Sequence, residues 1–558
     1  MTDSHDISER ARKRRRRRAQ GAPALGVVAY TVAAACLLPM VAVLVGALSG
    51  GTDTVGHLLA TVLPGYVGTT LLLVVLVGVG TMIVGVGTAW LVTMTVFPAK
   101  RLLEIALVLP LAFPAYVLAY AYTFVLDHPG IVQSSLRSVT GWGPRDYWFP
   151  EIRSLGGAAL MLILVLYPYV YLLARAAFLQ QSATAFLAAR ALGKNAWVAF
   201  WRVSLPMARP AIAGGVLLAI METIADFGTV AYFGVQTFAT GIYTSWFSMA
   251  DRAAAAQLAV CLLAFALFLA ILERTQRGAA KYHDTGKRQQ RMPPDRLRGW
   301  RAALAFLACF LPVLLGCLLP VAVLLTMGIG SEQDLLSRRY TRFISNSITL
   351  AASAAVITLL AAIAVGFFQR LRPGRGAQVA AYIARLGYAV PGGVIAVGLI
   401  VPFAAFDNAL DSWMRARFDY STGLLVTGSI WLLVGAYMVR FLAAALGAYE
   451  GGQSTIHANM DAAARSLGQT PLGTLRRVHL PMLTPSLLTA LLIVFVDVMK
   501  ELPATLIMRP FNYDTLAVQA YRLASDERLE GAAVPSLVIV AVGLLPVILI
   551  CRQVGRRS

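Results

Sequence analysis

The apolar residues of this chain neither alternate nor mark one stripe of a helix. They run on, in stretches of about 20 residues or more, the length an α-helix needs to cross ~30 Å of hydrocarbon. Such stretches lie near 24–48, 68–95, 103–125, 154–178, 208–234, 253–273, 301–327, 346–368, 378–403, 422–445, 483–508 and 533–551. Lipid offers no partners for backbone N–H and C=O groups, so each segment must close its hydrogen bonds within itself. The pattern predicts an all-α polytopic membrane protein of twelve transmembrane helices.

Polar sequence interrupts this pattern most sharply at Glu273–Arg301, where nine Lys/Arg stand against three acidic residues. Six spans precede this linker and six follow it, which divides the chain into a basic arm (1–23), a first half (24–273), the linker (274–300) and a second half (301–558). Positive residues concentrate on the cytoplasmic side of membrane proteins. The arm with its run Arg14 to Arg18, the linker, Lys100, Arg101, Arg370, Arg372, Arg375, Arg556 and Arg557 are therefore expected in the cytoplasm, together with both termini. The stretches 126–153 and 404–421, balanced in charge, are expected outside.

Composition changes the picture little: 58% of the 558 residues are hydrophobic and 13% charged, which excludes an ordinary soluble protein. The net charge of +21 raises nucleic acid as a partner. Basic residues beside an apolar span serve instead to orient it and to attract anionic lipid, so membrane lipid and no nucleic acid is the expectation. A basic start before an apolar run could also open a signal peptide, but no small-residue cleavage site stands out, and the run reads as an anchor. The five cysteines and six histidines show no metal-ligand spacing, and no nucleophile or acid–base constellation marks an enzyme.

The halves repeat one another. AARALG at 188–193 returns as AARSLG at 463–468, RVSLPM at 202–207 returns as RVHLPM at 477–482, and Pro210 answers Pro485, all at the one displacement that carries Ala188 onto Ala463. An even number of spans per half makes these parallel repeats that enter the membrane from the same side. Taking Arg440 as the counterpart of Arg175, the second half carries ten extra residues before its block, and the two loops are expected to differ. Both arginines are read as snorkelling from span ends.

Each block consists of small residues, a glycine, and a Leu-Pro that opens the next span: Ala188, Ala189, Arg190, Gly193, Leu205 and Pro206 in one half, Ala463, Ala464, Arg465, Gly468, Leu480 and Pro481 in the other. Alanines let a short helix approach another surface closely, and the glycines let the chain reverse after it. This spacing resembles the EAA loop of ABC-importer permeases. The family's glutamate falls on Leu187 and Ala462, with Asp461 one position early. The resemblance implies that each loop docks in a groove of a cytoplasmic ABC ATPase, two copies in all. The chain has no GxxxxGK[ST] phosphate-binding motif, so ATP and Mg are expected on that partner, with no cofactor on this chain.

Ionisable residues within spans are costly and are by default pathway candidates. Glu222 and Asp226 recur as Asp497 and Glu501, again at the displacement of the repeat, with Lys500 beside them. The i, i+4 spacing puts each pair on one helix face. Four carboxylates about a pseudo-two-fold axis would favour a cation and oppose sulfate, phosphate or molybdate. The competing structural reading is that they cap helix breaks at Gly228 and Pro503 or pair with Lys500 and Arg509. Pro110, Pro114 and Pro391 are expected to break the third span of each half, as gate or as packing kink.

YPYVYLLARAAFL at 167–179, ADFGTVAYFGV with the following GIYTSWFSM, and DVMKELPATLIMRPFNYDTLA resemble the signature stretches of iron(III) ABC-importer permeases of the fused two-half type. The likeness covers the chain apart from the basic arm and the linker. It implies a bacterial inner-membrane permease that receives iron(III) from an extracytoplasmic binding protein. A thiamine or other organic-cation importer shares the architecture, and an ion-gradient-driven secondary transporter is the rival from another class.

Overall fold

A computed structural model gives the fold over residues 21–49, 56, 60–181, 191–193, 196–279, 295–331, 333 and 337–557. Among these, eleven helices are long and apolar enough to cross a membrane. A twelfth span is a bent pair, Lys100–Ala112 with Ala115–Thr140, whose parts meet at 95°. Among the described residues the strands are Thr95–Val96 and Asp295–Arg296, paired in parallel, which tie the end of the linker to the residues after the Leu63–Met94 helix. The basic arm up to residue 20 and linker residues 280–294 lie outside the described residues.

The repeat holds through the fold. At the displacement found in the sequence, the start of the Leu63–Met94 helix falls on that of Arg338–Leu371, Leu155–Gln180 on Ile430–Gln453, and Leu205–Ala225 on Leu480–Met499. Ser154 and Ser429 hold the N-cap positions of the second pair at the same displacement. The ten-residue insertion expected from matching Arg175 with Arg440 is therefore not there. Arg175 corresponds to Glu450, and each enters an ion pair with an earlier helix, Arg175 with Glu104 and Glu450 with Arg385. The same tie is made with the signs exchanged.

Several apolar runs prove to be two helices. In the third span of each half the break falls at proline as expected: Pro114 and Pro391 stand in extended conformation and open the Ala115–Leu126 and Gly392–Phe418 helices. Proline has no N–H to give and holds its predecessor away from helical geometry. The runs 208–234 and 483–508 are also interrupted, with short helices starting at Gly228 and Pro503 where the competing structural reading placed breaks. Helix Leu205–Ala225 stops before Asp226 and a short helix follows at Gly228–Tyr232. Helix Leu480–Met499 stops before Lys500 and is followed by Pro503–Met508. Hydrophobicity alone does not register such a break, because the residues on both sides are equally apolar.

By packing the chain divides into two compact units, Met1–Ser49 with Ile344–Asp514, and Gly50–Phe343 with Thr515–Ser558. These differ from the repeat halves. In the first unit the opening helix Gly21–Ser49 lies along Gly392–Phe418 of the second half, so closely that a Cβ on Gly398 would collide with the Pro39 carbonyl. In the second unit the segment containing Gly316 lies against first-half residues, with a Cβ there only 3.0 Å from the Leu164 oxygen and from Pro110 Cγ. Helices in lipid gain little from the hydrophobic effect and associate through close backbone packing at small residues. Glycine at these crossings is what admits the first span of each half to the core of the other.

Candidate functional site

The repeated loop is described completely in the second half. Helix Ala458–Ser466 carries Ala463, Ala464 and Arg465, and of its residues Ala464 is buried. Gly468 ends the turn with φ +80°, and Gly193 holds the same place in the first half with φ +77°. A side chain in this left-handed region meets its own backbone, so glycine is the residue that reverses the chain there. Ala188, Ala189 and Arg190 lie outside the described residues. Beyond the glycine both halves contain a five-residue π-helix, Phe200–Ser204 and Leu475–His479. Each runs into Leu-Pro at the head of a span: Leu205 and Pro206, Leu480 and Pro481. π-turns are uncommon and collect at functional sites. Leu192 and Leu467, just before the glycines, are 79% and 80% exposed. Each loop thus presents a large apolar side chain outward at a matching position.

Asp461 centres a polar cluster under the second loop. Arg370 Nε donates to its Oδ2 at 2.7 Å, while the other Arg370 nitrogens donate to the carbonyls of Gln453 and Ile456 at 3.1 and 2.8 Å. His479 Nε2 lies 2.7 Å from Asp461 Oδ1. Burial pushes the Asp461 carboxyl up, but the hydrogen bonds of His479 and Arg370 together outweigh it and hold the group below its ordinary value. An ionised carboxylate only accepts, so Nε2 of His479 carries the hydrogen. His479 is fully buried, its ring edge-on to Phe367 at 5.1 Å between centroids. Neither Arg370 nor His479 was singled out in the sequence as a site residue. One signal was present: in the block RVSLPM/RVHLPM the single difference is Ser204 against His479.

The intramembrane acids fall at the breaks. Asp226 Oδ1 accepts from the backbone N–H of Thr229 and Val230 at 3.0 and 3.3 Å, and Oδ2 accepts from the Thr229 hydroxyl at 3.1 Å. Glu501 repeats the arrangement, accepting from the N–H of Ala504 and Thr505 at 2.9 and 3.1 Å and from the Thr505 hydroxyl at 2.8 Å. Both carboxylates cap the short helix that follows, which satisfies donors that lipid would leave unpaired. The i, i+4 reading of a shared helix face does not hold, because Glu222 and Asp497 belong to the long helices whereas Asp226 and Glu501 stand beyond their ends. Lys500 Nζ pairs with Asp497 at 2.9 Å, and Arg440 Nη1 approaches Glu501 Oε1 at 3.7 Å. Arg440 and Arg175 are 14% and 10% exposed in their side chains. They face carboxylates in the interior and do not snorkel.

In the second unit Arg153 joins three segments: it pairs with Asp127 at 3.1 Å and with Glu527 at 2.6 Å, and its guanidinium lies 5.2 Å from the Tyr232 ring centre. The hydrogen bond from Arg153 holds the Glu527 carboxyl below the ordinary glutamate value. Partners this far apart in sequence leave no local pattern to read.

Comparison with known proteins matches these features. The chain is 25% identical over 489 residues to the Fe(3+)-transport system permease protein FbpB 2 of Haemophilus influenzae, covering 86% of this chain and 88% of that one. It is 24% identical over 494 residues to the ferric transport system permease protein FbpB of Actinobacillus pleuropneumoniae, covering 85% and 68% respectively. The molybdenum transport system permease protein ModB of Escherichia coli aligns over 189 residues at 28% identity, 33% of this chain and 80% of that one. The family described as "Binding-protein-dependent transport system inner membrane component" matches residues 81–277 and again 359–558, once for each repeat. With its paired loops and twelve apolar segments, the chain belongs to that family: it is a multi-pass inner-membrane transport subunit, two permease repeats in one polypeptide.

Proposed function

We propose that this chain is the permease of an ATP-driven importer that moves iron(III), handed over by an extracytoplasmic binding protein. The observation that carries the ATP-driven reading is the doubled loop: Gly193 and Gly468 in left-handed conformation, each followed by a π-turn and Leu-Pro, at one constant displacement. Two matching docking elements call for two copies of a cytoplasmic ABC ATPase, which binds ATP and Mg. The positive residues at the loops and linker support cytoplasmic N- and C-termini. Iron is supported by likeness to the two ferric permeases along 85–86% of the chain, against 33% for the molybdenum permease.

The candidates for contact with the cation are Glu222 and Asp226 in one unit and Asp497, Lys500 and Glu501 in the other. These acids are not equal. Asp497 and Glu501 each face a cation of the chain, while the ion pairs of the described residues leave Asp226 without one. An intramembrane carboxylate with no cation beside it lowers the barrier for a passing positive charge. Alternating access follows when closure of the ATPases favours one arrangement of the spans over another.

The test is uptake of radioactive iron(III) by proteoliposomes holding this chain, its ATPase and its binding protein, with thiamine and molybdate in parallel. Iron accumulation that needs ATP is the expected result. Thiamine uptake alone would overturn the cargo and keep the architecture, and uptake that persists without the ATPase would overturn the ATP-driven reading.

A further inference from the structure

The second loop helix has little apolar grip on the spans. Of Ala458–Ser466 the buried residue is Ala464. Beside the helix lies a cavity of about 930 Å³, bounded by Phe367, Arg370, Gln453, Asp461, Arg465 and Thr474. Where packing is thin, polar bonds fasten the element. Here they converge on Asp461, which joins the loop helix to Arg370 at the end of Arg338–Leu371 and to His479 in the π-turn that leads into Leu480–Met499.

We propose that Asp461 is a positioning residue that carries motion of the second loop into these two spans, and that the first loop works without an equivalent. At the displacement of the repeat, Arg370, Asp461 and His479 correspond to Thr95, Phe186 and Ser204, none of them charged. In the first half Gln181 Nε2 donates to the Ser204 carbonyl at 2.8 Å, and the Ser204 hydroxyl has no partner among the described residues. The second loop is fastened through charge-assisted bonds, which are shorter and stronger, whereas the matching positions of the first half carry only neutral side chains. The loops of this fused chain are therefore mechanically unequal. Asp461 also supplies an acid one residue before the motif position that Ala462 occupies.

The functional arm of this inference rests on the ATP-driven reading above; the fastening arm does not. Asp461→Ala and Arg370→Ala are made singly and together, with Asp461→Glu as the conservative variant and Asp461→Asn as the alternative should the alanine variant fail to fold. Hydrogen exchange of residues 457–468 in the purified chain should quicken roughly tenfold in each single variant, no further in the double variant, and return towards the parent rate with glutamate. In the assembled transporter, cargo moved per ATP should fall roughly tenfold for Asp461→Ala and stay within about twofold for Ser204→Ala.

Unchanged exchange in Asp461→Ala would overturn the fastening. Quickened exchange with unchanged cargo per ATP would overturn the positioning role, and an equal loss in Ser204→Ala would overturn the inequality of the loops. Should the parent show no ATP-dependent transport, it is the ATP-driven reading that fails, while exchange still decides the fastening.

Discussion

Arg440 Nη1 lies 3.7 Å from Glu501 Oε1, so the carboxylate that caps the Pro503–Met508 helix also neutralises an arginine in the interior of its unit. The Glu501 side chain is 2% exposed. Removing one member of a buried pair strands the other, whereas removing both charges does not. Arg440→Leu should lower stability in detergent by about 3 kcal/mol, and adding Glu501→Gln should restore most of it, because the amide oxygen still caps the helix. Thermal unfolding of the three variants checks this. A double variant no better than the single one would mean that the ion pair is irrelevant to stability.

Asp226 makes the same cap with no cation paired to it among the described residues, which lets capping and charge be separated. Asp226→Asn keeps an oxygen for Thr229 and Val230 and should leave stability nearly unchanged, whereas Asp226→Ala should cost about 1 kcal/mol. Iron uptake should fall for both. Normal uptake with asparagine would assign Asp226 to structure alone.

Gly468 stands at φ +80° in open space, where an added Cβ would meet nothing within 4 Å. The penalty for alanine is therefore one of backbone conformation and not of collision, about 1 kcal/mol. Gly468→Ala and Gly193→Ala should each weaken binding of the ATPase, read by titration calorimetry, without lowering the unfolding temperature of the long spans. Unaltered affinity in both would exclude a need for the left-handed turn.

The Arg153–Glu527 tie has a defined pH dependence. Its carboxyl is held below the ordinary value in the folded chain, so its contribution is complete above the unfolded glutamate value of about 4.3 and disappears as pH falls through the lower, folded value. With Glu527 62% exposed in its side chain, the effect is small. Glu527→Gln should differ from the parent in melting temperature at pH 7, and the difference should shrink as pH falls below about 4.3. A difference that persists undiminished in acid would point to packing in place of charge.

Much of this architecture could be read from the sequence because lipid imposes a simple rule. A span must be apolar for a fixed length, and prolines such as Pro391 announce where it breaks. Two features were legible only in part or were misread, for identifiable reasons. That carboxylates end the helices at Ala225 and Met499 was legible only as the competing reading of caps at Gly228 and Pro503, because the apolar run continues across each break. Arg175 and Arg440 look alike as lone arginines in apolar surroundings, yet their partners, Glu104 and Glu501, belong to different parts of the repeat. The cluster around Asp461 was legible only as a departure from a motif and as the serine-to-histidine difference in an otherwise matching block.

The crossing of Pro39 and Gly398 also fixes an order of events during synthesis. Most of the first half and the whole linker separate the two residues in sequence, so the helix bearing Pro39 leaves the ribosome long before the surface it packs on exists. It must enter the bilayer and persist there alone, dissolved in lipid, until the later helix arrives. Its nearly unbroken apolar sequence, GAPALGVVAYTVAAACLLPMVAVLVGALS, suits that interval of waiting: nothing in it needs a protein neighbour to be tolerated by the membrane, and the small residues that will form the crossing cost nothing while unused.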